Sequence, residues 1–194
     1  MEMTLEDKDY KARKYKAEKM LVWLLTFSVI MVFAGLTSAY IIRREAKDWL
    51  QFNLPQIYFL STGLLIASSV FMTFVINSIK KDNVKMAKVY MLLALILGIV
   101  FCYTQKLGFY KMHEQGIFTI GPGANIAASF LYVLVITHIG HLILAMGGMI
   151  WTFFKLNKGA YSSADYHGLK LCSIFWHFMD ILWVYLFLFL FFIR

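Results

Sequence analysis

Five apolar runs, each long enough to cross a lipid bilayer, leave this chain very few folds to choose from. The first, Met20 to Ile42, is 23 residues without a charge, enough at about 1.5 Å per residue to traverse a hydrocarbon core of about 30 Å. The others cover about 56–79, 86–107, 125–154 and 171–193. Lipid offers no hydrogen bonds, so each run must satisfy its own backbone. The expectation is therefore an all-α integral membrane bundle of five transmembrane helices. Composition agrees: 60% of residues are hydrophobic, 15% are charged and the mean hydropathy is +0.66, too apolar for the surface of a soluble domain of 194 residues.

The charged residues are collected in the connections. Residues 1–19 form a basic N-terminal segment with Lys8, Lys11, Arg13, Lys14, Lys16 and Lys19, read as a juxtamembrane stretch carrying a short surface helix. Residues 20–194 form the five-helix domain, and the first run is expected to be an uncleaved anchor because it is too long for a signal-peptide core. Arg43, Arg44, Glu45, Lys47 and Asp48 make the first polar break, and Lys80, Lys81, Asp82 and Lys85 the second. A loop is expected over 108–124, with His113, Glu114 and the turn Gly121-Pro122-Gly123. With five crossings the termini fall on opposite sides, and the N-terminal side then holds 13 of the 19 Lys and Arg. The positive-inside rule makes that side cytoplasmic, so the net charge of +8 serves topology and anionic headgroups and implies no nucleic acid. Cys102 and Cys172 stand in apolar runs with no CxxC pattern and are read as packing residues.

Little remains that could do chemistry. The last run contains Trp176-His177-Phe178-Met179-Asp180-Ile181-Leu182-Trp183, with a histidine and an aspartate on one helical face beside Ser173. The fourth run contains His138 and His141. A shared structural network of His138, His141, His177 and Asp180 is the first expectation, with Asp180 paired to His141 because counting the helical rise puts them at similar depth. The alternative is a membrane metalloprotein that uses the same four residues for zinc or iron. Two histidines three apart on one helix cannot bracket a haem, and one carboxylate cluster is too little for an autonomous proton or ion pump, which leaves a small transporter subunit as a further class. His113 and His167 fall in connections, where solvated histidines are expected.

Trp-His-Phe-x-Asp-x-x-Trp in a last span, after a span with His-x-x-His, resembles subunit III of cytochrome c oxidase and of the related haem-copper quinol oxidases. The likeness runs along nearly the whole chain: Ser28 to Gly35 with Tyr40, Ser61-Thr62-Gly63-Leu64-Leu65 with Ser68-Ser69, then Gly98, Phe101 and Gln105, and Ser129-Phe130 ahead of His138. Five spans correspond to the short bacterial form. The chain departs from the family's pattern at Val29, where a membrane glutamate is usual, at Lys170, where an acid is usual, and at Ile139-Gly140 between the histidines.

The resemblance implies a non-catalytic subunit of an aerobic respiratory oxidase in the bacterial plasma membrane. It would have no catalytic residue, no metal ligand and no cofactor of its own, with haem and copper in partner subunits. Its partners would be the haem-bearing catalytic subunit I, other oxidase subunits and phospholipid, and it would support oxygen reduction and proton uptake by its neighbour. Headgroups are expected at Arg43, Arg44, Lys80 and Lys81, where basic side chains meet the interface. Whether the donor is cytochrome c or quinol is decided on other subunits.

Overall fold

The computed structural model describes residues 5–45, 49, 54–121 and 125–193. They form five helices: α1 Leu5–Arg44, α2 Ile57–Lys80, α3 Val84–Glu114, α4 Ile126–Asn157 and α5 His167–Phe192. All five are long and apolar enough to cross a membrane. The expected residues Lys47, Asp48, Pro122, Gly123 and Arg194 lie outside the described residues.

Local chemistry sets the helix ends. Asn83 and Asn125 accept from the backbone N–H three residues on, Met86 and Ala128, each at 3.2 Å, and so start α3 and α4. Gly116 and Gly159, at φ 74° and 72°, close α3 and α4. There the N–H groups of Ile117 and Ala160 reach back to the carbonyls of Met112 and Lys155, the bonding of a glycine-terminated helix. Between α2 and α3 only Lys81, Asp82 and Asn83 intervene, with Asp82 at φ 55°, so these helices form a tight antiparallel hairpin.

Three boundaries differ from the sequence expectation. The basic segment is no separate surface helix; it continues the first span as one 40-residue helix, about 60 Å long at the usual rise. The loop expected from Gly108 begins later, because Gly108 stays helical with the Tyr58 ring packed on it, and His113 therefore sits in the last turn of α3. Finally, α5 begins at His167, before the apolar run.

Helix α5 lies at the centre and packs on α1, α2 and α4; α3 packs on α2 and α4. Among the described residues α1 meets only α4 and α5, through a seam of Thr26, Val29, Phe33, Thr37 and Tyr40. Val29 is thus buried against the bundle, while other apolar side chains of the span, such as Leu21, Leu24, Phe27 and Met31, are exposed. Cys102 and Cys172 are half-buried and unbridged.

At the N-terminal side of the membrane the α4–α5 connection is held from two directions. The Asp165 carboxylate accepts from the Tyr15 hydroxyl at 2.7 and 2.8 Å and meets Lys11 Nζ at 2.6 Å. Asp82 of the hairpin turn accepts from the Ser163 N–H and hydroxyl at 2.9 and 2.7 Å. His167 is not the solvated side chain expected: its ring stacks on Tyr15 at 4.1 Å and its Nε2 is 3.5 Å from Glu18 Oε2. These contacts explain why a polar stretch continues as helix without lipid around it.

The Lys11 contact, opposed by partial burial and reinforced by Tyr15, holds the Asp165 carboxyl below its ordinary range; the Ser163 hydroxyl and N–H do the same for Asp82. A carboxyl whose folded-state value is depressed contributes stability above its unfolded value of about 4 and loses it as pH falls through the folded value. The clasp should therefore be constant from about pH 5 to 8 and open in stronger acid. Spin labels at Lys14 and Ala160 should report one short distance at neutral pH and a broadened one only in acid well below the ordinary carboxylate value of about 4. Asp165→Asn should broaden it at pH 7, at a stability cost below about 1 kcal/mol because the pair is partly exposed.

Candidate functional site

The last helix carries the chemistry-bearing residues, and the structure shows which neighbour they serve. Trp176 donates its indole N–H to Ser68 Oγ at 3.1 Å, and Ser68 donates to the Ala94 carbonyl of α3 at 3.0 Å. Trp183, two turns on, donates to Thr62 Oγ1 at 3.0 Å; Thr62 in turn donates to the Tyr58 carbonyl at 2.8 Å. Between them His177 Nδ1 is hydrogen-bonded to the Ser69 hydroxyl. Both indoles are fully buried, and Trp176 fits because Gly98 faces it: a methyl there would lie 3.0 Å from the ring. The spacing of seven between the tryptophans thus matches hydroxyls about two turns apart on antiparallel α2.

The expected pairing of Asp180 with His141 is absent. His141 turns its Nδ1 to the Thr137 carbonyl on its own helix, at 2.8 Å, and lies beside Phe33 of α1, with ring centroids 5.8 Å apart. Asp180 lies beside the Ser69 hydroxyl of α2 without forming a regular hydrogen bond. Among the described residues neither of its carboxyl oxygens has a hydrogen-bond partner. Counting residues gave a common depth but not the direction around the helix: the polar face of α5 turns to α2, and His141 turns to α1.

His138 is also outside the expected network. Its ring is enclosed by Phe33, Phe101 and Trp183, at centroid distances of 6.3, 6.0 and 5.1 Å, and neither nitrogen has a hydrogen-bond partner among the described residues. The four residues of the proposed metal set therefore point in three directions, and among the described residues no three His, Cys, Asp or Glu converge as ligands. Ser68, Ser69 and Thr62 are the polar partners that the His–Asp pattern left unassigned. Their signal in the sequence was a set of small hydroxyls at helical spacing inside an apolar run.

The basic residues divide between the two membrane faces. Arg43 and Arg44 end α1 and Lys80 and Lys81 end α2; since each helix crosses once, the two pairs lie at opposite ends and cannot share one headgroup. Lys81 borders a pocket of about 290 Å³ with Asn77, Ser78 and Tyr90. A second groove, about 400 Å³, runs between α1, α4 and α5, lined by Val22, Leu25 and Phe175 together with Trp151, Lys155 and Glu18. Lys155 lies 5.6 Å over the Trp151 ring.

These features define a multi-pass helical membrane protein that uses its buried polar groups to join its own helices. Its family is shown by comparison. A model of the family described as cytochrome c oxidase subunit III matches residues 49–194, and the chain belongs to that family, the third subunits of haem-copper oxidases. It is 28% identical over 185 residues to the cytochrome bo(3) ubiquinol oxidase subunit 3 of Buchnera aphidicola subsp. Baizongia pistaciae, covering 91% of this chain and 92% of that one. It is 29% identical over 178 residues to the cytochrome c oxidase subunit 3 of Thermostichus vulcanus, covering 87% and 82%. The probable quinol oxidase subunit 3 of Staphylococcus saprophyticus is 24% identical over 186 residues, covering 92% and 90%.

Two variant pairs test the site. Ser69→Ala and His177→Phe remove the two ends of one bond, so their destabilisation should be non-additive by about 0.6 kcal/mol, the usual coupling between membrane helices. His141→Phe and Asp180→Asn face different helices and should add within about 0.5 kcal/mol. Denaturant unfolding of the four single and two double variants in detergent micelles reads both numbers.

Proposed function

We propose that this chain is a redox-inert structural subunit of a terminal oxidase in a bacterial plasma membrane, with its N-terminus cytoplasmic. In this reading it binds beside a haem- and copper-bearing catalytic subunit, supports that subunit's stability and proton uptake during oxygen reduction, and holds phospholipid. The observation that carries the reading is similarity over 91% and 87% of the chain to third subunits of both oxidase types, across a motif whose indoles and imidazole are engaged in helix contacts. Relatives named for ubiquinol and for cytochrome c stand equally near, so the donor is left to the subunits that receive electrons.

Phospholipid is favoured by the groove between α1, α4 and α5. A trough mostly lined by apolar side chains, with Lys155 and Trp151 on its lining beside Glu18, suits an acyl chain whose phosphate meets the lysine, and a basic side chain near an anionic surface contributes on the order of 1 kcal/mol. Arg43 and Arg44 in one leaflet, and Lys80 and Lys81 in the other, would then hold separate lipids.

The test is purification from native membranes through a tag on this chain. Haem and copper should co-purify, bound to another subunit. Deleting this chain should leave haem and copper per catalytic subunit unchanged while oxygen consumption declines faster over repeated turnover. Stoichiometric metal retained by this chain after separation from its neighbours, or lost haem on its deletion, would contradict the proposal.

A further inference from the structure

The hairpin of α2 and α3 gathers four lysines, Lys80, Lys81, Lys85 and Lys88, within nine residues, against a single acid, Asp82. That acid is already engaged, since its carboxylate takes the N–H and hydroxyl of Ser163 in the α4–α5 connection. Among the described residues none of the four lysines is in an ion pair. Like charges held this close repel one another, and an anion among them relieves the repulsion.

The pocket of about 290 Å³ lies at this turn. Its lining offers the Lys81 ammonium, the Asn77 amide and the hydroxyls of Ser78 and Tyr90, all able to donate hydrogen bonds, and it includes no carboxylate. The carbonyls that end α2 are occupied within the turn: that of Ser78 accepts from the Lys81 and Asn83 N–H groups at 3.2 and 2.9 Å, and that of Ile79 from Asp82 at 3.0 Å. Phe74 lines the same pocket, one turn before Ser78 and so nearer the middle of the span. Its ring lies 5.5 Å from that of Tyr90, and Phe71 packs beside both, at 6.3 and 6.2 Å between centroids. Donors at the end of a span with aromatic rings on their membrane side suit a lipid headgroup, whose phosphate meets the donors while its acyl chains run along the rings.

The groove at Lys155 has a different character, because Glu18 shares its lining and can receive a headgroup ammonium. The hairpin pocket has no such group. Resting on the reading of Lys80 and Lys81 as lipid-binding, we propose that this pocket binds an anionic glycerophospholipid in preference to a zwitterionic one. Lys81 meets the phosphate, and the Asn77 amide and Tyr90 hydroxyl exchange hydrogen bonds with headgroup hydroxyls, such as those of phosphatidylglycerol. Lys80, Lys85 and Lys88 add to the positive potential around it.

The chain, purified with the subunits that accompany it, would be reconstituted in nanodiscs of mixed phosphatidylethanolamine and phosphatidylglycerol, and the lipids retained per complex counted by native mass spectrometry. The parent should retain one phosphatidylglycerol that the double variant Lys81→Ala, Asn77→Leu does not. Lys81→Ala alone should weaken its retention about fivefold, the effect of one basic side chain at an anionic surface, and Lys81→Arg should restore it. Lys155→Ala, in the other groove, should leave this phosphatidylglycerol in place, and excess inorganic phosphate should not displace it. Loss of a phosphatidylethanolamine from the double variant instead would overturn the preference while leaving lipid binding at the hairpin intact. Displacement by inorganic phosphate would show a site for the free anion and overturn the lipid as its source. A double variant that kept the parent's full lipid complement would overturn the site itself, and if Lys155→Ala also released no lipid, the broader phospholipid reading would fall with it.

Discussion

Trp176 donates its indole N–H to the Ser68 hydroxyl, and Ser68 donates to a carbonyl of α3, so a single pair of side chains joins three helices. In lipid there is no competing water for these donors, and apolar surface gives helices little reason to associate. What chooses among many possible packings is which polar groups can be satisfied together. Trp183 with Thr62 and His177 with Ser69 repeat the choice along the same interface, and Gly98 lets the larger indole close on it. The rest of the bundle follows: α3 is tied to α2 by its turn, α4 fills the space between α3 and α5, and α1 lies against α4 and α5.

This arrangement bears on function through what it leaves unused. Within the motif most suggestive of chemistry, Trp176, His177 and Trp183 bond α5 to α2 while Asp180 has no hydrogen-bond partner among the described residues, and the histidines of α4 face other aromatic rings and α1. A third subunit built in this way presents its neighbours with lipid-like helix surfaces and clasped connections. The clasp at Asp165 and Asp82 extends the same logic beyond the bilayer, where water competes and two-sided contacts replace a single buried bond.

The fold was legible because five long apolar runs admit little else, and the family was legible from Trp176, His177, Asp180 and Trp183. The polar face was also readable: His177 and Asp180 both lie beside Ser69 of α2. The identity of the facing neighbour was not. Depth along a helix follows from counting, but whether Asp180 meets α4 or α2 depends on how five helices are arranged around one another. The extension of α1 was hidden for a related reason, since its polar half is supported by residues 150 positions away in the sequence.

The indole N–H groups of α5 tie it to α2, and under the proposed function they take no part in redox chemistry. Replacing Trp176 and Trp183 together by Phe removes both donors and keeps most of the buried ring surface. Measured in the purified complex, this variant should lose the third subunit at a lower temperature or detergent concentration than the parent, with the partner's reduced-minus-oxidised haem spectrum unchanged. A complex that kept the chain as firmly as before, or a shifted haem spectrum, would contradict the account.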